Sequence, residues 1–378
     1  MKILLTGGGT GGHVYPALAI ADMIKEKQPD AEILYVGTKR GMENALVARE
    51  GYPMYHIECR GVHRSLSPAN LITAYYVLTA PHKAKRLLRT LKPDAVIGTG
   101  GYACWAPLKA AAALGIPTMV HESNVIPGMA VRQLQGEVDV VLTNFEATAE
   151  RLRTERKVVH VGNPLRKSYG SYTRKEAREK LGIPEDCRFL ILSFGGSRGA
   201  EQVNRSMIDL MRDFVLPHPD VMHIHAGGKD SYEQAKALFD GAGLGDCSRT
   251  QLQEYIYDMP LYMAAADLCI CRAGAMTLTE IARMGKTAIV IPSPNVVEDH
   301  QYKNAKLLAD ADAAVLLEEA NLTPQRIVEE VSNLYENEEK RMGMSQRIRT
   351  FGGDDAGEKI YEELIRLLKT KEKIVPRG

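Results

Sequence analysis

Two short stretches carry residue types suited to holding an anion. Gly7-Gly8-Gly9-Thr10-Gly11-Gly12, followed by His13, puts five glycines in six positions between an apolar strand and a helix. Glycine lets backbone approach a pyrophosphate closely, and a helix start offers unpaired N–H groups with a partial positive charge. A tight strand–helix turn alone accounts for one or two of these glycines; the others point to ligand approach. His13 opens the helix beside any anion held there. An imidazole in that place can hydrogen-bond a phosphate or act as a base near neutral pH, with capping or packing as the plain alternative. The spacing also fits a nicotinamide dinucleotide, but that chemistry needs an acid at the tip of the second strand to hold the ribose. Here the strand runs out through Val36-Gly37-Thr38-Lys39-Arg40 with no acid. The second stretch, Phe194-Gly195-Gly196-Ser197-Arg198-Gly199-Ala200, repeats the arrangement with a hydroxyl and a cation added, and reads as a diphosphate cradle.

Further polar residues follow other apolar runs. Arg272-Ala273-Gly274-Ala275-Met276-Thr277-Leu278-Thr279-Glu280 comes after Leu268–Cys271. A helix beginning at Ala275 projects Thr277 and Glu280 from its first turns, and a carboxylate there can accept both hydroxyls of a ribose. The plain alternative is an acid placed to complement the helix dipole. Asp299-His300-Gln301-Tyr302-Lys303-Asn304-Ala305 is another polar helix start. Gly100-Gly101-Tyr102, His121-Glu122-Ser123-Asn124 and Asn163-Pro164-Leu165-Arg166 each follow a strand-like run in the same way. All of them therefore converge on one rim. Asp310-Ala311-Asp312 has the form of a metal-binding pair, but it precedes a strand and so falls on the opposite side of the sheet; no metal site and no cofactor is expected.

The elements that must position these residues are short β-branched runs alternating with amphipathic helices. Lys2–Thr6, Ile33–Val36, Ala95–Gly98, Thr118–Val120 and Val138–Leu142 read as strands, and Tyr15–Lys27 and Trp105–Leu114 as helices. A second series runs through Phe189–Ser193, Met222–His225, Leu268–Cys271, Thr287–Ile291 and Ala313–Leu317. Such alternation builds βαβ units on a parallel sheet. The expected fold is α/β, with two Rossmann-like doubly wound domains facing across a cleft: residues 1–163, residues 164–355, and a last amphipathic helix from Ala356 to Leu368, within residues 356–378, expected to pack back on the first domain.

With 378 residues, 45% apolar and 25% charged, the composition is that of a soluble globular protein. No apolar run is long enough for a membrane span or an export signal, so a cytoplasmic setting is expected. Six cysteines without a C-x-x-C pair read as reduced, structural thiols. Net charge is +1, which argues against a nucleic-acid partner. Residues 1–160 nevertheless hold 19 Lys and Arg against 14 Asp and Glu. The stretch Val62–Lys92 carries Arg64, Lys83, Lys85, Arg86, Arg89 and Lys92 with no acid, beside Leu66, Leu71, Ile72, Tyr75, Tyr76 and Leu78. Cations next to exposed apolar groups suit docking on an anionic bilayer; a core helix followed by a solvated basic helix is the alternative.

Taken in order, GGGTGGH, GTGGY, HESN, GNPLR, FGGSRGA, RAGAMTLTE and HQYKNA closely resemble the motifs of the MurG family across residues 1–368. These are bacterial transferases that add N-acetylglucosamine to a lipid-linked muramyl-pentapeptide. The resemblance implies the glycosyltransferase B architecture and inverting, metal-independent transfer at the cytoplasmic face of the cell membrane. It implies donor contacts at Arg166, Ser197, Ile256, Ala275, Met276, Thr277, Leu278, Thr279, Glu280 and Gln301: Ile256 to uracil through its backbone, Glu280 to the ribose, Ser197 to the diphosphate, Gln301 to sugar hydroxyls. Thr10, Gly11, Gly12 and Asn124 are implied near the transferred sugar and the acceptor diphosphate. Gly9, Gly101, Tyr102 and Glu122 are expected on the acceptor side, with His13 as the candidate base. Two departures fall in acceptor-side loops: Ser123 stands where the family has Gln, and Gly128-Met129-Ala130-Val131 replaces Gly-Leu-Thr-Asn. They leave a related transferase acting on a soluble acceptor, or a non-catalytic UDP-sugar-binding regulator, as rival readings.

Overall fold

The computed structural model describes residues 1–59, 69–353 and 355–374. The chain divides into two compact units, Met1–Arg166 with Asp355–Gly378, and Lys167–Asp354. In the first unit seven strands form a wholly parallel sheet: β1 Lys2–Thr6, β2 Glu32–Gly37, β3 Met54–His56, β4 Ala95–Gly98, β5 Thr118–Glu122, β6 Val140–Thr143 and β7 Lys157–His160. Their order is β3-β2-β1-β4-β5-β6-β7. The second unit has six: β8 Phe189–Phe194, β9 Val221–Ala226, β10 Thr250–Gln253, β11 Leu268–Cys271, β12 Thr287–Val290 and β13 Val315–Leu316, ordered β10-β9-β8-β11-β12-β13. Each sheet reverses strand order beside its first strand, and that reversal opens a crevice at the carboxyl ends where ligands bind.

Residue alternation drives both sheets. Ile3 and Leu5 enter one core with Ile33, Tyr35 and Ile97, while Leu4 enters the other with Leu34, Val36 and Val96. Both faces of a parallel sheet are covered, so its strands read as continuous apolar runs. The last helix, Ala356–Ile374, places Ile360, Leu364 and Leu367 in the same core as Val14, Leu18 and Ile24 of the first helix, Gly11–Lys27. Burying such side chains contributes about 1.5–3 kcal/mol each, which ties the chain's end to the first unit.

Strands β3 and β10 lie outside the elements expected from sequence. Each is the outer edge of its sheet, where one neighbour is missing and the pattern turns polar: Met54-Tyr55-His56 is half-exposed and Thr250-Gln251-Leu252-Gln253 is mostly hydrophilic. Edge strands need less apolar sequence because solvent meets one side.

Candidate active site at two sheet reversals

In the first unit the turn after β1 meets the turn after β4. The glycines there answer first to one another's neighbours. A side chain at Gly7 would overlap the hydroxyl of Thr99, and one at Gly8 would come within 2.7 Å of the Glu43 carboxyl. Gly9 adopts φ +89° beneath the Tyr102 ring, and a side chain on Gly101, at φ +76°, would overlap the Gly8 carbonyl. Gly7, Gly8 and Gly9 thus make room for the side chains of Thr99, Glu43 and Tyr102, so close packing accounts for more of the glycines than the one or two a tight turn needs. Gly12 is the one with room above it: nothing lies nearer than 3.7 Å to a side chain built there.

Glu43, which sequence reading passed over, holds this turn from below. It is fully buried, its Oε2 accepts from the Gly9 N–H at 3.2 Å, and its Oε1 accepts from the Thr38 N–H at 2.9 Å and the Thr38 hydroxyl at 2.8 Å. Tyr35, also buried, donates its hydroxyl to the Gly7 carbonyl at 2.7 Å. No local pattern signals either role; both side chains reach back from elements later in the chain.

His13 sits in the first turn of its helix. Its Nδ1 lies 3.2 Å from the Gly8 carbonyl and 3.2 Å from the Thr10 hydroxyl. A carbonyl only accepts, so Nδ1 carries the proton in the neutral ring and Nε2 is the basic nitrogen. That is the tautomer a general base requires. Helix Gly11–Lys27 starts at Thr10 and helix Tyr102–Ala113 starts at Gly101, and neither start is capped by a side chain. Their first N–H groups therefore remain for a ligand's oxygens.

The His121–Asn124 loop is a knot rather than an open surface. Glu122 is buried; Oε1 accepts from the Asn124 N–H at 2.9 Å and from its side-chain amide at 3.1 Å, and Oε2 accepts from the Gly128 N–H at 2.7 Å. Burial pushes its carboxyl up, against those hydrogen bonds. Buried His121, lowered to about 4 by desolvation, pairs through Nε2 with the Gly162 carbonyl at 2.8 Å. Ser123 is buried 3.5 Å from His121 Nδ1, and Val131 is buried in the core. Ser123 and Val131 thus point inward and alter packing beneath the loops, whereas Met129, 62% exposed, changes the surface that the second loop presents.

Arg166 stays within the first unit. Its Nε donates to Asp22 at 2.9 Å, and its two terminal nitrogens reach both oxygens of Glu50 at 2.8 and 2.9 Å. Bidentate pairing of this kind is the strong form of the contact. A phosphate bound by Arg166 would have to compete with it.

In the second unit the turn after β8 is braced by the loop after β9. A side chain on Gly199, at φ +89°, would overlap the Gly227 carbonyl, and one on Gly228 would overlap the Gly199 N–H. Lys229 N–H donates to the Ser197 carbonyl at 3.2 Å and Asp230 N–H to that of Arg198 at 3.0 Å. Arg198 itself pairs with Asp230 at 2.6 Å in solvent. The Ser197 side chain remains part-exposed on the turn.

Helix Ala275–Met284 follows β11, and its Gly274 start has no side-chain cap; nor has the start of helix Glu201–Leu210. Ala275, Met276 and Leu278 are buried, with Leu278 in the core, so this run can offer a ligand its backbone together with Thr277 and Glu280. The Thr279 hydroxyl turns back to the Ala275 carbonyl at 3.0 Å. Glu280 keeps part of its side chain accessible, while protein packs around the carboxyl. That burial pushes it up to about 7, opposed by a hydrogen bond with Tyr169. Gln301 Oε1 accepts from the Ser293 N–H at 2.9 Å, which fixes its amide with the NH₂ as the donor left for a ligand. Ile256 is buried between Tyr255 and the exposed Tyr257, whose rings meet edge to face at 4.8 Å. Among the described residues no group of three His, Cys, Asp or Glu is placed to hold a metal, and Asp310 pairs with Lys306 at 2.8 Å.

Two Rossmann-type sheets, each with helix starts at its reversal that no side chain caps, define an α/β protein built from two doubly wound units. The glycosyltransferase family 28 N-terminal domain matches residues 3–143 and the family 28 C-terminal domain residues 190–360. A protein of Acetivibrio thermocellus named UDP-N-acetylglucosamine--N-acetylmuramyl-(pentapeptide) pyrophosphoryl-undecaprenol N-acetylglucosamine transferase is 38% identical, covering 98% of this chain and 99% of its own length. The Bacillus subtilis protein of the same name is 39% identical over 98% and 100%. The crystal structure of Acinetobacter baumannii MurG aligns with a TM-score of 0.73 at 31% identity, over 97% and 99% of the two chains. A Neisseria meningitidis UDP-GlcNAc 2-epimerase, at 16% identity and TM-score 0.65 over 97% of this chain and 100% of its own, shares the fold alone. The chain is a glycosyltransferase and belongs to the MurG family. Among the described residues no helix is long and apolar enough to cross a membrane.

Proposed function

We infer that this protein transfers N-acetylglucosamine from UDP-N-acetylglucosamine to the 4-hydroxyl of undecaprenyl-pyrophosphoryl-N-acetylmuramyl-pentapeptide, converting lipid I to lipid II in peptidoglycan synthesis. The observation that carries this reading is the likeness to transferases so named, sustained over 98% of the chain at 38–39% identity. The second unit holds the donor: backbone N–H groups and Ser197 at the diphosphate, Glu280 at the ribose, Ile256 at the uracil and Gln301 at the sugar. The first unit takes the acceptor at Gly9, Gly101 and Tyr102, with Thr10, Gly11, Gly12 and Asn124 beside the transferred sugar and the acceptor diphosphate. His13 Nε2 receives the proton of the muramyl 4-hydroxyl as its oxygen forms the bond to the anomeric carbon. The bond from that carbon to UDP breaks on the opposite face, so an α-linked donor gives a β-linked product. Charge developing on the leaving diphosphate is met by the uncapped helix starts, and preorganised dipoles of this kind usually supply the largest catalytic term. Purified protein given UDP-N-acetylglucosamine and lipid I is expected to release UDP and form lipid II; UDP-sugar binding without turnover would favour the regulator.

The acceptor is lipid-linked, and helix Ala69–Leu91 suits docking at an anionic membrane surface on the cytoplasmic side. Tyr75 is 57% and Leu78 72% exposed, and with His82, Arg86 and Arg89 they recur at three- and four-residue spacing along one side of the helix. Arg64 and Leu66 lie outside the described residues. Cations near an anionic surface contribute ~1 kcal/mol each. A Lys83→Glu, Arg86→Glu, Arg89→Glu protein should lose roughly tenfold or more in binding to phosphatidylglycerol vesicles, while UDP affinity stays unchanged. Wild-type co-sedimentation indifferent to anionic lipid and to salt would refute the docking surface.

A further inference from the structure

Beneath the Gly195–Gly199 turn lies a line of buried polar side chains that the transfer chemistry leaves unused. Ser193 on β8 and His223 and His225 on β9 are all fully buried, and Asn204 on helix Glu201–Leu210 is 2% exposed. Ser193 pairs with His225 in the sheet register, so their side chains emerge on one face. Strand neighbours on that face, Phe189, Ile191 and Val221, are ordinary core residues. Four polar groups in such a place are costly unless every one is matched.

One polarity satisfies these contacts except at two points: His223 Nδ1 has no partner, and His225 Nδ1 also lies 3.2 Å from the Ser193 carbonyl. Asn204 Nδ2 donates to the Gly227 carbonyl at 2.9 Å, so its Oδ1 is the atom facing His225 Nε2 at 3.0 Å. An amide oxygen only accepts, so His225 Nε2 carries the proton. Burial lowers this ring to about 4, so it is neutral, and its Nδ1 is then an acceptor. Nδ1 accepts a hydrogen bond from the Ser193 hydroxyl at 2.7 Å. The hydroxyl oxygen in turn accepts from His223 Nε2 at 2.6 Å. His223 Nδ1, with no partner, is the end of the line as a bare lone pair.

The line thus runs in one direction: His223 to Ser193 to His225 to Asn204 to the Gly227 carbonyl. That carbonyl is the one against which Gly199 packs with no room for a side chain. The next residues hold the turn by Lys229 N–H to Ser197 and Asp230 N–H to Arg198. Moving Gly227 moves the turn.

We propose that the Ser193–His225–Asn204 line is a positioning device that sets the Gly195–Gly199 turn for the donor's diphosphate. It rests on the reading that this turn holds that diphosphate. Asn204, His225 and Ser193 touch no substrate; they act through the Gly227 carbonyl. Removing Asn204 frees the loop, and the turn's N–H groups no longer present a fixed cradle. Phosphate binding suffers, while a ligand lacking phosphate does not register the change.

The test titrates UDP and uridine into the full chain, wild type and variants, with thermal midpoints recorded alongside. Asn204→Ala is expected to weaken UDP by about tenfold, and Ser193→Ala by about threefold, as one hydrogen bond of the line is lost. Uridine affinity should stay within twofold in both. Unchanged UDP affinity, or equal losses for UDP and uridine, overturns the proposal. Should Asn204→Ala fail to fold, nitrogen NMR of ¹⁵N-histidine wild type decides: the Nε2–H tautomer at both His223 and His225 supports the line, and Nδ1–H at His225 overturns it. Wild-type protein that takes up neither ligand overturns the donor reading, and the positioning role with it.

Discussion

His13→Ala is expected to lower kcat by roughly 10²–10⁴-fold, the range for loss of a positioned general base, while the affinity for UDP changes less than twofold. The reasoning starts from the tautomer. The Gly8 carbonyl and the Thr10 hydroxyl both sit 3.2 Å from Nδ1, which fixes the ring with Nε2 basic. The ring is locked further by its surroundings: side chains built at Gly100 and Gly101 would come within 2.7 and 3.0 Å of it. A base held in one orientation loses little entropy when the substrate arrives. Single-turnover kinetics with lipid I separates this from binding, because a base acts on the chemical step. Added imidazole should restore part of the rate lost in His13→Ala. A variant with near-normal kcat would remove His13 from the mechanism and leave it as a residue that packs the two glycine turns together.

The second large effect is expected at Glu280. With Gln in its place, kcat/KM for UDP-N-acetylglucosamine should fall roughly 10- to 100-fold, the loss of a charge-assisted pair of hydrogen bonds to the ribose. The wild type adds a pH signature. Burial holds the free carboxyl at about 7, and two donating hydroxyls favour its ionised form. Donor affinity should therefore rise by up to about tenfold from pH 6 to pH 8, since only the carboxylate accepts both hydroxyls. Stability runs the other way. The folded state holds this proton more tightly than the unfolded chain, whose carboxyl titrates near 4.5. Stability from this group is present below 4.5 and is lost as pH rises through about 7. Glu280→Gln should flatten both dependences. UDP titrations at pH 6 and pH 8 that give one affinity for wild type would exclude Glu280 as the ribose acceptor.

Much of this protein follows from local chemistry. The alternation of β-branched runs with amphipathic helices reports a doubly wound sheet because each strand and helix buries its own apolar side chains within a few residues. Both glycine turns, and the helix starts at Gly11, Tyr102, Glu201 and Ala275, are local for the same reason. The order of motifs along the chain suffices to place it in its family. Contacts between distant residues were decided otherwise. Glu43 reaches Gly9 across 34 positions, Asn204 reaches Gly227 across 23, and Arg166 reaches Asp22 across 144. A carboxylate or amide looks the same in sequence whether it meets solvent, a ligand or a buried N–H. Only the folded chain shows that Glu122 ties a loop, that Ser123 and Val131 turn inward, and that the glycines at 7 and 8 make room for their neighbours before any ligand. The reason is physical: which polar group satisfies which is set by close packing in three dimensions, and sequence spacing constrains that only within a turn or two of helix.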